Sequence, residues 1–326
     1  MIRRIVITVM IATIALLILA VGVNWKYQQL IHQTRNCDVQ LVIKTGQSLD
    51  QIARQLEQQG VISSTQVFRL YTRWQQQGHL IKAGEYAFVG EFSMIDVLNR
   101  LHEGKVIMHR LTIVEGLRTA DILNKLAQQS NTDVALWQSA MDELSKGKEQ
   151  EGRLLPETYS YTEPVNPRFL LRKMMQAQQQ VLADLDVPQP QETIIIASII
   201  EKETAIPAER ALISAVIRNR LKKAMPLQMD PTVIYGLWRD DPNFKGPLHH
   251  NDLKKDTPWN SYTRSGLPPS PICNPGRESL KAAAEPADAD FLFFVATGKG
   301  GHRFAVTHQE HQRNIRRWLK ERKAQQ

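Results

Sequence analysis

Cysteine is scarce in this chain: Cys37 and Cys273 are the two among 326 residues. They stand far apart, with no Cys-x-x-Cys and no Cys/His spacing, so neither a disulfide framework nor a zinc site is signalled. Spacing leaves open whether the two pair. His249, His250, His308 and His311 also lack partners at metal-ligand spacing. We therefore expect no metal and no cofactor. Runs of like charge are missing as well. The lysines and arginines behind the formal charge of +8 are scattered, which argues against nucleic acid as a partner and leaves an anionic polymer or a membrane surface. The length exceeds that of one ordinary domain, so at least two folded units are expected.

Long apolar runs are also rare, and the exception is informative. Ile5 to Val23 is a stretch of nineteen mostly apolar residues without a charge, about 28 Å as a helix and enough to cross a bilayer core. Arg3 and Arg4 ahead of it favour a cytoplasmic N-terminus at residues 1–4, although Lys26 and Arg35 follow closely. Ala20 and Gly22 have the spacing of a signal-peptidase site, but the length of the run suits an uncleaved anchor. The polar residues 24–38 are then a stalk.

From Val39 the pattern predicts a strand to Ile43, a turn at Gly46, a cap at Ser48 and a helix through Ile52 and Leu56. A second helix, Thr65 to Gln76, has Val67, Leu70, Tyr71 and Trp74 at helical spacing, and a strand from Gly84 and a helix from Ser93 follow. Leu111 to Gly116, with Ile122 and Leu126, echoes Leu41 to Gly46 with Ile52 and Leu56. This reads either as a repeat or as two similar strand-turn-helix units. The Lys/Glu/Gly-rich residues 145–152 mark a boundary.

In the C-terminal half, a helix beginning at Pro207 places Leu212, Val216 and Leu221 on its inner face. The proline-rich stretch after Gly266 reads as a stiff, exposed loop. Phe291 to Phe304 predicts a hairpin. The run Thr193 to Thr204 predicts a helix wrapped by protein on most sides, because its apolar residues share no single face. It delivers Glu201 and Glu203 to its end before Pro207. A carboxyl group there is pushed toward keeping its proton both by burial and by the negative end of the helix dipole. At about 100° per residue the two glutamates face opposite ways, so one of them, not both, can serve a small site.

Five motifs in order carry a resemblance: Ala197 to Thr204 around Glu201, Leu227 to Gly236 around Asp230, Asn260 to Pro269, Asn274-Pro-Gly276, and Gly300-Gly-His302 with Phe304. Together they resemble the YceG-like family of peptidoglycan lytic transglycosylases over nearly the whole chain. The resemblance implies that Glu201 is the catalytic acid and that Ser198, Gln228, Asp230, Asn260, Tyr262 and Thr263 bind substrate. Asp230 ahead of Pro231 also suits a turn, Asn260 a loop cap, and His302 a turn beside two glycines. Asp230 and Glu157 are the candidates for a second acid.

The expected fold is α+β: a single N-terminal transmembrane helix (5–23), a stalk (24–38), a LysM-like α/β module (39–106), a second strand-helix unit and connection (107–151), and a mixed α+β catalytic domain (152–326). The implied activity is endolytic cleavage of MurNAc-β-1,4-GlcNAc bonds to 1,6-anhydro-MurNAc ends, in cell-wall assembly, as a terminator of nascent strands. The implied setting is the cell inner membrane, crossed once, with the folded domains periplasmic. Peptidoglycan glycan strands, the inner membrane through residues 5–23 and cell-wall synthases are the implied partners. A hydrolytic muramidase and a non-catalytic wall-binding scaffold are the alternatives.

Overall fold

The computed structural model describes residues 2–76, 78–298 and 300–323, with the side chains of Arg3 and His79 also outside the description. Met1 and the Arg3 side chain, used above for topology, and Lys299 in the hairpin turn thus lie outside the described residues. The chain forms two compact units, one running to His109 and including Ser160–Val165, the other comprising Arg110–Tyr159 and the chain from Asn166 onward.

The first unit opens with α1 (Ile2–His32), which contains the one stretch among the described residues long and apolar enough to cross a membrane. Its apolar side chains are largely uncovered by protein. The helix does not end where the apolar run does. It continues to His32, with Ile31 buried in the unit's core and Tyr27 packed against it, so part of the expected stalk is helix. Strand β1 (Arg35–Ile43) then begins four residues before the alternating pattern suggested. Next come α2 (Leu49–Gln58), α3 (Thr65–Trp74), β2 (Gly84–Phe92) and α4 (Met94–Glu103). β1 and β2 pair antiparallel, from Arg35 opposite Phe92 to Ile43 opposite Gly84. Alternation turns Leu41, Ile43, Tyr86 and Phe88 inward against Ile52, Leu56, Phe68 and Leu101. Ser48 caps α2 as expected, in a reciprocal box with Gln51.

The second unit contains β3 (His109–Thr112) from Arg110 on, α5 (Thr119–Gln129) and α6 (Val134–Ser145). Gly116 precedes α5 with φ +75°, as Gly46 precedes α2 with φ +82°. The two strand-turn-helix stretches thus share their turn conformation, one that glycine adopts without steric cost. β4 (Thr158–Tyr161) as far as Tyr159, α7 (Pro167–Asp184), α8 (Pro190–Glu203), α9 (Pro207–Lys222), α10 (Asp230–Asp240) and α11 (Arg277–Ala284) follow, then β5 (Phe293–Ala296), β6 (His302–Ala305) and α12 (His308–Lys323). β5 and β6 form the expected antiparallel hairpin. Prolines sit at the first position of α7, α8 and α9 and at the second of α10, where a missing N–H costs nothing.

Helix α8 is the centre of this unit. Every residue from Thr193 to Ile200 is buried, and each buried isoleucine contributes about 1.5–3 kcal/mol. Helices α9, α10 and α11 pack around it. The inner face of α9 is set by Ile213, the expected Val216, Ile217 and Arg220, while the expected Leu212 and Leu221, each one residue away from that face, are only partly buried. The stretch after Gly266 departs more from expectation. Residues 270–276 are buried, not exposed, because they lie against α8 and cover it. The Ile272 N–H donates to Ser198 Oγ at 3.0 Å, and the Cys273 thiol donates to the Ser198 carbonyl at 3.4 Å. Both cysteines are buried free thiols.

Candidate active site

Helix α8 carries Glu201, Lys202 and Glu203 to its last turn, and its buried body fixes where they point. The two glutamates enter different surroundings. The Gly276 N–H, which begins α11, donates to Glu201 Oε2 at 2.9 Å. A Cβ added at Gly116 would meet Glu201 Cγ at 3.5 Å, and Lys202 Nζ donates to the Gly116 carbonyl at 3.3 Å. Glu115 stands close by. Burial and then the Glu201 charge push its carboxyl above the usual range, while Arg210, 3.9 Å away, opposes them.

Glu203 faces the other way, toward Asp230. No group among the described residues hydrogen-bonds its carboxyl. It retains some solvent exposure, yet the protein crowds it enough for burial, aided by the Asp230 charge, to push its carboxyl up to about 7. Its place at the negative end of α8 acts in the same direction. Asp230, at the first position of α10, accepts a hydrogen bond from the Tyr262 hydroxyl at 2.6 Å. Burial, then this bond and the Asp230 charge, hold the Tyr262 hydroxyl well above its usual range.

The segment around Tyr262 is clasped to the start of α10. Ser261 Oγ accepts from the Met229 N–H at 2.9 Å and is hydrogen-bonded to Thr232 Oγ1 at 2.8 Å, and Gln228 N–H donates to the Ser261 carbonyl at 3.0 Å. Gln228, exposed with φ +51°, therefore belongs to the same rim as Asp230 and Tyr262. Asn260 does not face the groove. It is fully buried, donating to the Leu253 and Lys255 carbonyls at 3.0 and 2.6 Å and accepting from the Tyr262 N–H at 2.8 Å. Ser198 is equally closed off, its hydroxyl donating to the Ile195 carbonyl at 2.8 Å and accepting from Ile272. Thr263 is exposed and turned to Asp256 Oδ1 at 3.2 Å. Glu157 pairs with Arg277 at 3.4 Å. His302 fastens the hairpin to α9: its N–H and Nδ1 both meet the Glu209 carboxylate at 2.7 Å.

A cleft of about 550 Å³ is lined by Gly116, Lys202 and Pro231; Lys202 is the chain neighbour of both glutamates, Gly116 adjoins the Glu201 side chain, and Pro231 follows Asp230. Trp238 and Phe244 give it apolar walls, and Lys202, Arg118 and Lys245 supply cations. The Arg118 guanidinium lies 3.9 Å from the centre of the Trp238 ring. Tyr235 belongs to the core, with Trp259 packed edge-on against it.

Sequence reasoning overlooked Glu115 and Glu151. Glu151 is buried and accepts from the Thr119 N–H at 2.8 Å, Asn274 Nδ2 at 3.1 Å and the Tyr235 hydroxyl at 3.2 Å. Its carboxyl is pushed up to about 7 by burial, against the pull of those bonds. Glu115 carries a signal in hindsight, since it precedes the turn glycine of the second strand-turn-helix stretch.

A carboxyl group that holds its proton near neutrality, unbonded at the end of a buried helix and beside a polar rim, is the equipment of an acid–base enzyme. This chain belongs to the YceG-like family, whose model matches residues 41–317. It is similar to an endolytic murein transglycosylase of Bacillus subtilis (strain 168), 27% identical over 310 residues that cover 86% of this chain and 85% of that one. It is also 27% identical to an endolytic murein transglycosylase of Streptococcus pneumoniae serotype 2, across 92% of this chain but 63% of that longer protein. A crystal structure of a YceG-like protein from Listeria monocytogenes resembles it with a TM-score of 0.55 and 28% identity, over 85% of this chain and 98% of the other.

Proposed function

We propose that this chain is a lytic transglycosylase of peptidoglycan in which Glu203 is the acid and then the base. The observation that carries the assignment is the Glu203 carboxyl, unbonded among the described residues and pushed up to about 7. The motif resemblance gave this role to Glu201, whose Oε2 is already taken by the Gly276 N–H. In the reaction, protonated Glu203 gives its proton to the glycosidic oxygen as the bond to C1 of the muramic acid breaks. The 6-hydroxyl oxygen of the same sugar bonds to C1 and returns its proton to Glu203. The product is a 1,6-anhydro end and no water is consumed, so one carboxyl group suffices.

Gln228, Asp230 and Tyr262 then hold the sugar rings and tune the acid, with Thr263 further along the same exposed segment. Ser198 and Asn260 serve binding at one remove, by fixing the segments that form the groove. Lys202 and Lys245 offer partners for the carboxylates of stem peptides, while Arg118 is already paired with Asp121. The β1-α2-α3-β2 order with an antiparallel pair supports reading the first unit as a LysM-like glycan module. We read α1 as an inner-membrane anchor that holds the enzyme on the periplasmic side, where nascent strands and cell-wall synthases meet it.

The test is digestion of purified peptidoglycan with the full chain and mass spectrometry of the products. Anhydro-muramic ends are expected. One observation favours a second reading: Asp230 is exposed and close enough to Glu203 to raise its pKa, the arrangement a water-activating second carboxylate needs. A hydrolytic muramidase would leave reducing ends with water added, and those products alone would overturn the transglycosylase reading. A wall-binding scaffold would give neither product.

A further inference from the structure

Helix α3 carries two apolar side chains that the protein leaves uncovered. Leu70 is 60% exposed and Trp74 75% exposed. They stand four residues apart and so share a face, while Phe68, Tyr71 and Thr72 turn a different face into the core. The apolar spacing seen in the sequence is therefore divided between an inner and an outer side. The outer pair lines a cavity of about 500 Å³ whose other wall is α1, at Ala20, Val23 and Tyr27.

The level of this cavity is set by α1 itself. That helix is unbroken from Ile2 to His32 and is built into the core of its unit through Tyr27 and Ile31. Where the bilayer ends on α1 thus fixes how deep α3 stands. Ala20 and Val23 belong to the charge-free run that spans the hydrocarbon, and Trp25 and Tyr27 follow it at the position of an interfacial aromatic belt. Side chains that share a cavity with Ala20 and Val23 stand at the edge of the hydrocarbon and not in bulk water.

We propose that the Leu70–Trp74 face of α3 inserts into the lipid interface beside α1, so that the N-terminal unit rests on the bilayer through two elements. This rests on the reading of α1 as a membrane span. Lipid is the occupant because the α1 wall of the cavity, where Asn24 and Gln28 follow the apolar Ala20 and Val23, lies at the level where hydrocarbon gives way to headgroups, and Leu70 and Trp74 share that cavity. Tryptophan suits that level, with an apolar ring and an N–H free for headgroups or interfacial water. The consequence is a fixed tilt of the N-terminal unit on the membrane, where a single flexible tether would leave it free to turn.

The experiment places an environment-sensitive fluorophore on a cysteine introduced by Trp74→Cys, and in parallel by Leu70→Cys and Leu17→Cys, in the full chain reconstituted into phosphatidylcholine/phosphatidylglycerol vesicles. Cys37 and Cys273 are buried, so the introduced thiol takes the label. Both α3 sites are exposed, so the substitutions leave the core intact. The expected result is a blue-shifted emission at positions 70 and 74, quenched by brominated lipid and shielded from an aqueous quencher, with position 17 also quenched by lipid. Lipid quenching at position 17 with aqueous quenching at 70 and 74 would overturn the proposal while leaving the anchor in place. Aqueous quenching at all three positions would remove the anchor reading and the proposal together.

Discussion

The Tyr262 hydroxyl donates to Asp230 Oδ1 at 2.6 Å, and through this bond the loop that follows Asn260 is joined to the first turn of α10 beside Glu203. Asp230 raises the Glu203 pKa and Tyr262 in turn holds Asp230 in place. The pair therefore couples the position of the rim to the protonation of the acid.

The pH profile follows. Glu203 must carry its proton to start the reaction, so kcat/KM should fall as pH rises through about 7. In Asp230→Asn the negative charge is gone and Glu203 gives up its proton more readily. The basic limb of the profile should then move to lower pH, and a limb that stays where it was would remove Asp230 from the tuning of the acid.

Stability should also depend on pH, through Glu151. Its folded-state pKa of about 7 lies above the ordinary glutamate value of about 4.3. The folded state thus holds the extra proton between those limits, and stability is greatest below them and declines as pH rises toward 7. Glu203 contributes in the same direction. The Glu151 part is worth roughly 3 kcal/mol and is fully lost above about pH 8. Urea denaturation across this range should show the decline in the parent chain and a flatter curve in Glu151→Gln.

Asn274 is fully buried and serves four partners: Oδ1 accepts from the Leu154 N–H at 2.9 Å, and Nδ2 meets the Leu117 carbonyl, Thr119 Oγ1 and Glu151 Oε1, each at 3.1 Å. Asn274→Ala strands these groups without water. Denaturant titration should show a loss of about 3 kcal/mol or more.

Gly276 leaves no room for a larger residue, since an added Cβ would overlap the Glu115 carboxyl. Its own φ of −76° is ordinary, so the obstacle is space and not backbone strain. Gly276→Ala should cost about 1–3 kcal/mol in thermal unfolding. Combining it with Glu115→Ala should recover most of that loss, the signature of a direct contact.

Much of this was legible in the chain. The run from Ile194 to Ile200 identified a buried helix, and helical geometry separated its two glutamates. Which glutamate faces Asp230 could not be read there, because Asp230 and its partner Tyr262 reach Glu203 from distant segments. Ser198 and Asn260 stood in the right motifs, but their polar groups are spent on the backbone of neighbouring loops. The prolines after Gly266 suggested a surface loop, yet α8 is apolar all round and needed that loop as a cover. Leu70 and Trp74 share the helical spacing of Val67 and Tyr71, and spacing alone does not distinguish a face packed on protein from one left outside.

The most direct test compares Glu203→Gln with Glu201→Gln in the full chain, measuring anhydro-muropeptide release from purified peptidoglycan by mass spectrometry, with circular dichroism to verify folding. Glu203→Gln is expected to lose activity by about a hundredfold or more, while Glu201→Gln stays within about tenfold of the parent chain. Loss confined to Glu201→Gln, with Glu203→Gln active, would contradict the assignment of Glu203 as the acid.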